Sequence, residues 1–214
     1  MLGVSYLREQ NHTDALREFL RAADADPERA DIQQALAQAY QLKKAYKEAE
    51  EHYLKALKLT PGDPQIENNL GALYLDMRRW DDAIRLFRKA ADNLLFSSPE
   101  VALTGLGFAY FQKSDYPAAA ASYQEAILHN PRFFQAHLRL GQALYAMDRT
   151  EQAVTELERA LQLVPENAEG HYLLGQAYMK LREIKKAETQ FREVIRLAPE
   201  SEFARQAKGV LSLL

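Results

Sequence analysis

The chain has 214 residues, 47% of them hydrophobic and 27% charged, with a formal net charge of −3 and a pI near 6.0. That balance fits a soluble, well-packed protein and argues against a nucleic-acid surface, where a basic face is expected. The absence of cysteine excludes disulfides, thiolate metal sites and cysteine nucleophiles, and no apolar run approaches the ~20 residues that cross a bilayer as a helix.

One set of residues recurs from the start of the chain. Leu2, Gly3, Ala15 and Pro27 return 34 residues later as Leu36, Ala37, Ala49 and Pro61, and 34 later again as Leu70, Gly71 and Ala83. The next step is 36, to Leu106, Gly107, Ala119 and Pro131. Two further steps of 34 reach Leu140, Gly141, Ala153 and Pro165, then Leu174, Gly175, Ala187 and Pro199. A fixed period of this length marks stacked repeats, each a pair of antiparallel helices joined by a short turn. The expected units are 1–29, 30–63, 64–99, 100–133, 134–167 and 168–201, closed by a capping helix over 202–214, all in a single domain.

In unit one, Leu2 and Gly3 align with mid-helix positions of the later units. At about 3.6 residues per turn, its first helix lacks roughly its opening turn and a half, so residues upstream of Met1 are expected, any targeting signal among them. Met1–Arg8 itself has no basic and apolar signal-peptide regions. In the following units Tyr40, Tyr74, Tyr110 and Tyr178 follow the leucine by four and share its helix face. The small residue after each leucine lets the second helix approach closely. Second helices carry a small–aromatic–small stripe: Ala49/Tyr53/Ala56, Ala83/Phe87/Ala90, Ala119/Tyr123/Ala126 and Ala187/Phe191/Val194. Tyr46, Trp80 and Tyr116 cover the helix starts. Asp63-Pro64 is a capping carboxylate before a first-turn proline, and Ser98-Pro99-Glu100 repeats the device.

Between units three and four the connection is two residues longer, and Leu94-Leu95-Phe96 stands where other units have a polar turn. These three are expected to tuck into the stack beneath the second helix; an exposed partner patch is the alternative. At the far end, Gly209 is 34 residues beyond Gly175, with Lys208 and Ser212 on a face that no further helix covers, and Phe203, Ala207, Val210, Leu211 and Leu214 form the apolar stripe toward unit six.

Catalytic chemistry is hard to find. The 30 acidic residues are scattered on helix faces, and there is no Gly-rich phosphate loop, HExxH or nucleophile elbow. Asp24–Asp31 lacks the glycine and terminal glutamate of a calcium loop and reads as an inter-repeat turn. His137 and His171 stand 34 apart at one repeat position, and with no third ligand in sight they read as packing residues rather than a metal site. The expectation is a non-enzymatic chain with no cofactor and no metal.

The spacing Leu-Gly-x-x-Tyr…Ala-x-x-x-Phe-x-x-Ala…Pro resembles the tetratricopeptide repeat over practically the whole chain. Departures are confined to packing residues: Leu144 for tyrosine, Leu157 for an aromatic, Ala37 for glycine. The resemblance implies an all-α solenoid, a right-handed superhelix of about six helix pairs whose first helices line a concave groove. The implied groove positions are Gln34, Gln38 and Gln41; Asn68, Ala72 and Leu75; Thr104, Phe108 and Phe111; Leu138, Gln142 and Tyr145; Tyr172, Gln176 and Met179. Family members that grip a chaperone's C-terminal carboxylate use lysine, asparagine and arginine at fixed positions. Asn69 and Arg139 match two of these and the others are missing, so an amphipathic segment with apolar anchors is the better fit. Phe108 and Phe111 read equally as partner contacts or as stack filler.

Residues 66–123, with Asn68, Asn69 and Gly71 opening one unit and the lengthened junction after it, resemble the pilotin-type lipoproteins of type IV pilus biogenesis (the PilF/PilW type). That resemblance implies protein binding that helps an outer-membrane secretin assemble, at the periplasmic face of the outer membrane, with the lipid-bearing cysteine upstream of Met1. A general cytoplasmic scaffold or co-chaperone, the repeat region of a larger protein, and a self-stacking scaffold are the alternatives.

Overall fold

The computed structural model describes residues 2–214. Among them are thirteen α-helices and no strand. The helices alternate as first and second members of pairs: α1 (Leu2–Arg8) with α2 (His12–Ala25), α3 (Ala30–Leu42) with α4 (Tyr46–Leu59), α5 (Pro64–Asp76) with α6 (Trp80–Asp92). Then come α7 (Pro99–Gln112) with α8 (Tyr116–His129), α9 (Phe134–Ala146) with α10 (Thr150–Leu163), α11 (Ala168–Lys180) with α12 (Ile184–Leu197), and the closing α13 (Glu202–Leu211). The order is that of an all-α helix-pair solenoid. The chain divides into two compact units, Met1–Gly105 and Leu106–Leu214.

Local chemistry sets the helix starts. Asp63 Oδ1 accepts from the Gln65 and Ile66 N–H groups at 2.9 and 3.1 Å, with Pro64 in the first turn, as its spacing predicted. Asn11, Asp115, Asn167 and Ser201 cap α2, α8, α11 and α13 in the same way. Within each pair the turn is a six-fold repeat. The carbonyls of Tyr6, Tyr40, Tyr74, Tyr110, Leu144 and Tyr178 accept from the N–H five residues on. The residue before each donor is left-handed: Gln10, Lys44, Arg78, Ser114, Asp148 and Arg182 have φ of 57–63°. This Schellman closure satisfies orphan helix carbonyls, and here none of its left-handed residues is glycine.

The small residue after each leucine does what its position implied. A Cβ on Gly107 would stand 2.5 Å from the Tyr123 ring, and one on Gly175 2.7 Å from Phe191. Those rings, with Ala119, Ala153, Ala187 and the first-helix leucines, form the buried clusters of residues 106–214. Phe19, Leu36, Ala15 and Ala39 do the same in residues 1–105. Phe87 fills two glycine notches there, at Gly71 of its own pair and at Gly105 of α7.

Two expectations are corrected. Leu94 and Leu95 do not tuck into the stack: they are 100% and 90% exposed, and only Phe96 goes in, at 7%. The cause is a tight turn in which Phe96 N–H bonds the Asn93 carbonyl, Asn93 Oδ1 accepts from Leu95 N–H, and Asn93 Nδ2 donates to Gly62 O. With Asn93 held on both sides, the two leucines form the tip. At the far end Leu214 leaves the expected stripe and is 49% exposed, because α13 stops at Leu211. Phe203, Val210 and Leu211 pack as expected, and Gly209 faces open space.

Candidate partner-binding site

The first helices present three kinds of position. Two residues before the repeat leucine, side chains turn into the stack. Leu138 is 2% exposed, and Tyr172 is 9% exposed with its ring 5.9 Å from Phe191 and 5.3 Å from Phe203. Asn68 is buried at the same position, while Gln34 and Thr104 are half-buried. Two residues after the leucine, Gln38, Ala72, Phe108, Gln142 and Gln176 are all half-exposed. One turn further, Gln41, Leu75, Phe111, Tyr145 and Met179 are half-exposed as well. The sequence row is therefore split: its last two positions meet solvent, and its first is largely stack. Phe111 leans on Tyr116, ring centroids 5.2 Å apart.

In residues 1–105 these positions open onto a cleft of about 520 Å³ lined by Gln38, Gln41, Asn69, Ala72, Asp76 and Lys44, with Leu7, Leu42 and the tyrosines 46 and 53 below. Gln41 is committed: its Nε2 donates to Asp76 Oδ2 at 2.7 Å, and Tyr53 Oη donates to its Oε1 at 3.2 Å. Burial pushes the Tyr53 phenol far above its ordinary range, so the hydroxyl stays a donor. Asn68 Oδ1, Asn69 Nδ2 and Thr104 Oγ1 are buried without a hydrogen-bond partner. An unmet buried group of this kind costs about 1–3 kcal/mol, which calls for a reason.

In residues 106–214 a cleft of about 390 Å³ is lined by Tyr145, Gln176, Met179, Lys180, Phe191 and Val210. Gln176 Nε2 donates to Tyr172 Oη, and Lys180 lies 4.5 Å from the Tyr145 ring centroid while pairing with Asp148 at 2.6 Å. That pair holds the Asp148 carboxyl below its usual range. Arg139, matched in sequence to a carboxylate-gripping position, is engaged at home: it pairs with Glu169 at 2.6 Å and donates to Gln142.

The two histidines hold a structural post. His137 Nε2 meets the Pro131 carbonyl at 3.1 Å and its Nδ1 meets Glu156 Oε2 at 2.7 Å. His171 spans Pro165 O and Gln190 Oε1 in the same way. Gln33 does so between Pro27 O and His52. In these three repeats one side chain thus ties the preceding turn to the second helix 19 residues on. Glu67 occupies this post in its repeat, where Leu86 offers no polar atom, and burial raises its carboxyl above the usual range. Sequence spacing located this post through the histidines and missed its tie to the turn carbonyl, since a main-chain acceptor leaves no residue signal. It also missed the tyrosine hydroxyls that reach a neighbouring pair's glutamate: Tyr74 to Glu50 at 2.8 Å and Tyr178 to Glu158 at 2.5 Å. Burial and the bond to Glu50 push the Tyr74 phenol up to about 12.

Comparison with known proteins gives a consistent picture. A family model described as tetratricopeptide repeat matches residues 1–64, 68–127 and 138–202, and a second, described as TPR repeat, matches 107–148. The type IV pilus assembly protein PilF of Pseudomonas aeruginosa is 30% identical over 127 residues, 59% of this chain and 50% of that protein. The peroxisomal targeting signal receptor of Saccharomyces cerevisiae is 28% identical over 166 residues, 73% of this chain and 26% of that protein. In these alignments the chain spans half of the first relative and about a quarter of the second. Among solved structures, P. aeruginosa PilF superposes with a TM-score of 0.85 at 22% identity, covering 97% of this chain and 94% of that one. PilW, a type IV pilus biogenesis factor, superposes with a TM-score of 0.89 at 22% identity, covering 98% and 95%. At that identity the superpositions establish a shared fold. No helix among the described residues is long and apolar enough to cross a membrane.

Proposed function

Because the chain belongs to the tetratricopeptide repeat family, we propose that it is a non-catalytic scaffold that binds an amphipathic segment of a partner protein on its first-helix faces and assists assembly of a type IV pilus secretin in the bacterial envelope. The observation that carries the protein-binding part is the repeated half-exposure of uncharged amide, apolar and aromatic side chains at the same two first-helix positions, with Gln38, Gln41 and Ala72 lining one cleft and Tyr145, Gln176 and Met179 another. Such a surface suits an apolar anchor flanked by main-chain contacts. The pilus part rests on the similarity to PilF, and on the resemblance that the opening Asn68-Asn69-x-Gly71 and the lengthened junction suggest. In this reading the protein is a lipid-anchored pilotin at the periplasmic face of the outer membrane.

The test is a strain lacking the gene, complemented with the native gene or with Phe108→Ala and Phe111→Ala together. The expected result is loss of secretin multimers in the outer-membrane fraction with the double variant still folded and present. Normal multimers in the deletion strain would overturn the pilus reading. The resemblance to the yeast receptor then favours the second reading, a general scaffold for a peptide ligand.

A further inference from the structure

The turn between α6 and α7 carries two leucines at its tip that the stack does not use. Leu94 is 100% and Leu95 90% exposed. Hydrogen bonds fix that exposure. Phe96 N–H bonds the Asn93 carbonyl at 3.0 Å, Asn93 Oδ1 accepts from Leu95 N–H at 2.9 Å, and the buried Phe96 ring anchors the far side. Asn93 Nδ2 donates to Gly62 O at 3.2 Å, which ties the tip to the preceding inter-pair turn. The collar around the leucines is polar without charge. Residues 93–99 hold no ionisable side chain, and neither do the exposed Thr60, Pro61 and Gly62 of the neighbouring turn.

We propose that this tip inserts into the surface of an uncharged lipid bilayer. Two leucines held out in water gain by reaching any apolar phase, so the choice lies between a protein pocket and lipid. Area decides it. A stable protein interface uses roughly 20–30 residues a side, and here the apolar surface ends at two, ringed by amide and hydroxyl groups that need hydration. Insertion into a bilayer makes no such demand, because its strength scales with whatever apolar area is buried about 5–10 Å deep, at the boundary of headgroups and acyl chains. The collar of Asn93, Ser97 and Thr60 then lies among the headgroups, where its polar atoms stay wet. Charge selects the kind of lipid. No cation stands in the collar, and the nearest charges along the chain, Asp92 and Glu100, are both acids, so anionic headgroups add no attraction. The assignment goes beyond the partner reading above and uses none of its first-helix residues.

The test uses the full chain, which has no cysteine, with Ser97→Cys carrying an environment-sensitive NBD fluorophore. Phosphatidylcholine vesicles are the probe. A brighter, blue-shifted emission that doxyl-labelled lipid quenches is expected, and raised salt is expected to leave it unchanged. The same label on Arg78→Cys, beyond the other end of α6 and about 20 Å away at ~1.5 Å per residue, is expected to stay silent. Leu94→Ser with Leu95→Ser is expected to lower partition into the vesicles about 100-fold, roughly tenfold for each leucine. Leu94→Phe with Leu95→Phe keeps an apolar tip and is expected to keep the response. No response to the vesicles, an equal response in the serine pair, or one that needs anionic lipid and fades in salt overturns the assignment. Should the vesicles give no response while the serine pair loses capture of the solubilised secretin, the tip docks in a protein pocket and the lipid assignment falls. Normal secretin multimers in the deletion strain would sink the pilus reading and leave the vesicle response standing, so the two fail separately.

Discussion

At the residue scale, glycines spaced by 34 do opposite things according to what stands opposite them. Gly175 lies under the Phe191 ring, and a Cβ would stand 2.7 Å from it. Gly209, the next in the series, has nothing within 4 Å. Gly175→Ala must displace a ring in a filled cluster and is expected to cost about 1–3 kcal/mol. Gly209→Ala only removes backbone freedom from an exposed helix and is expected to gain roughly 0.5–1 kcal/mol. Urea denaturation of both variants checks the pair of signs. Glu67 makes a second residue-level prediction. Burial raises its carboxyl, so the folded state favours the neutral form. Its contribution is therefore fully present below the unfolded value of about 4.3 and is lost as pH rises through the folded value. Glu67→Gln keeps the shape, removes the charge and supplies a donor like that of Gln33. Its urea midpoint is expected above the native one at pH 7, with the difference shrinking toward pH 4. A difference that grows toward acid would show that Lys89, which favours the ionised form, outweighs burial.

At the scale of elements, the Asn93–Phe96 turn separates exposure from anchoring. Leu94→Ser with Leu95→Ser removes two side chains that touch almost nothing, so the thermal midpoint is expected to stay put, within roughly 0.5 kcal/mol of stability. Phe96→Ala empties a buried site and is expected to cost about 3–5 kcal/mol. The reverse order in a thermal-shift series would mean the leucines are the anchors. The turn also shows why its sequence misled: three consecutive apolar residues look alike, yet a two-residue tip fixed by Asn93 leaves only the third able to reach the core. The intra-pair turns were silent for another reason. Their left-handed residues are Gln, Lys, Arg, Ser, Asp and Arg, so composition gave no glycine signal, and the closure is made by main-chain groups.

At the scale of the whole molecule, a repeat stack has ends that need covering, and its stability is a sum of units and nearest-neighbour interfaces. α13 covers the last pair: Ala204 and Ala207 are buried, and Phe203 and Val210 lie against the cluster of Tyr172, Phe191 and Val194. Removing residues 202–214 is expected to lower the thermal midpoint and to accelerate amide exchange in α11 and α12 first. Uniform acceleration along the chain would contradict nearest-neighbour coupling. What the sequence by itself determined was the repeat: its period, its helix pairs, the Asp63-Pro64 cap, and the small residue after each leucine that lets the second helix approach. These follow from local propensity and from a pattern stated six times over. The candidate site was only half legible. A three-position row could be named, but rotation of a first helix by a fraction of a turn decides whether Leu138 and Tyr172 face solvent or the stack, and that rotation is set by contacts with neighbouring helices. Tertiary packing alone buried those two, left Phe108 and Tyr145 half-exposed, and brought Gln65, Asn68 and Asn69 into one hydrogen-bonded chain with an unmet donor and acceptor. Helical period places a side chain on a face, and only the partner helix decides how deep that face lies.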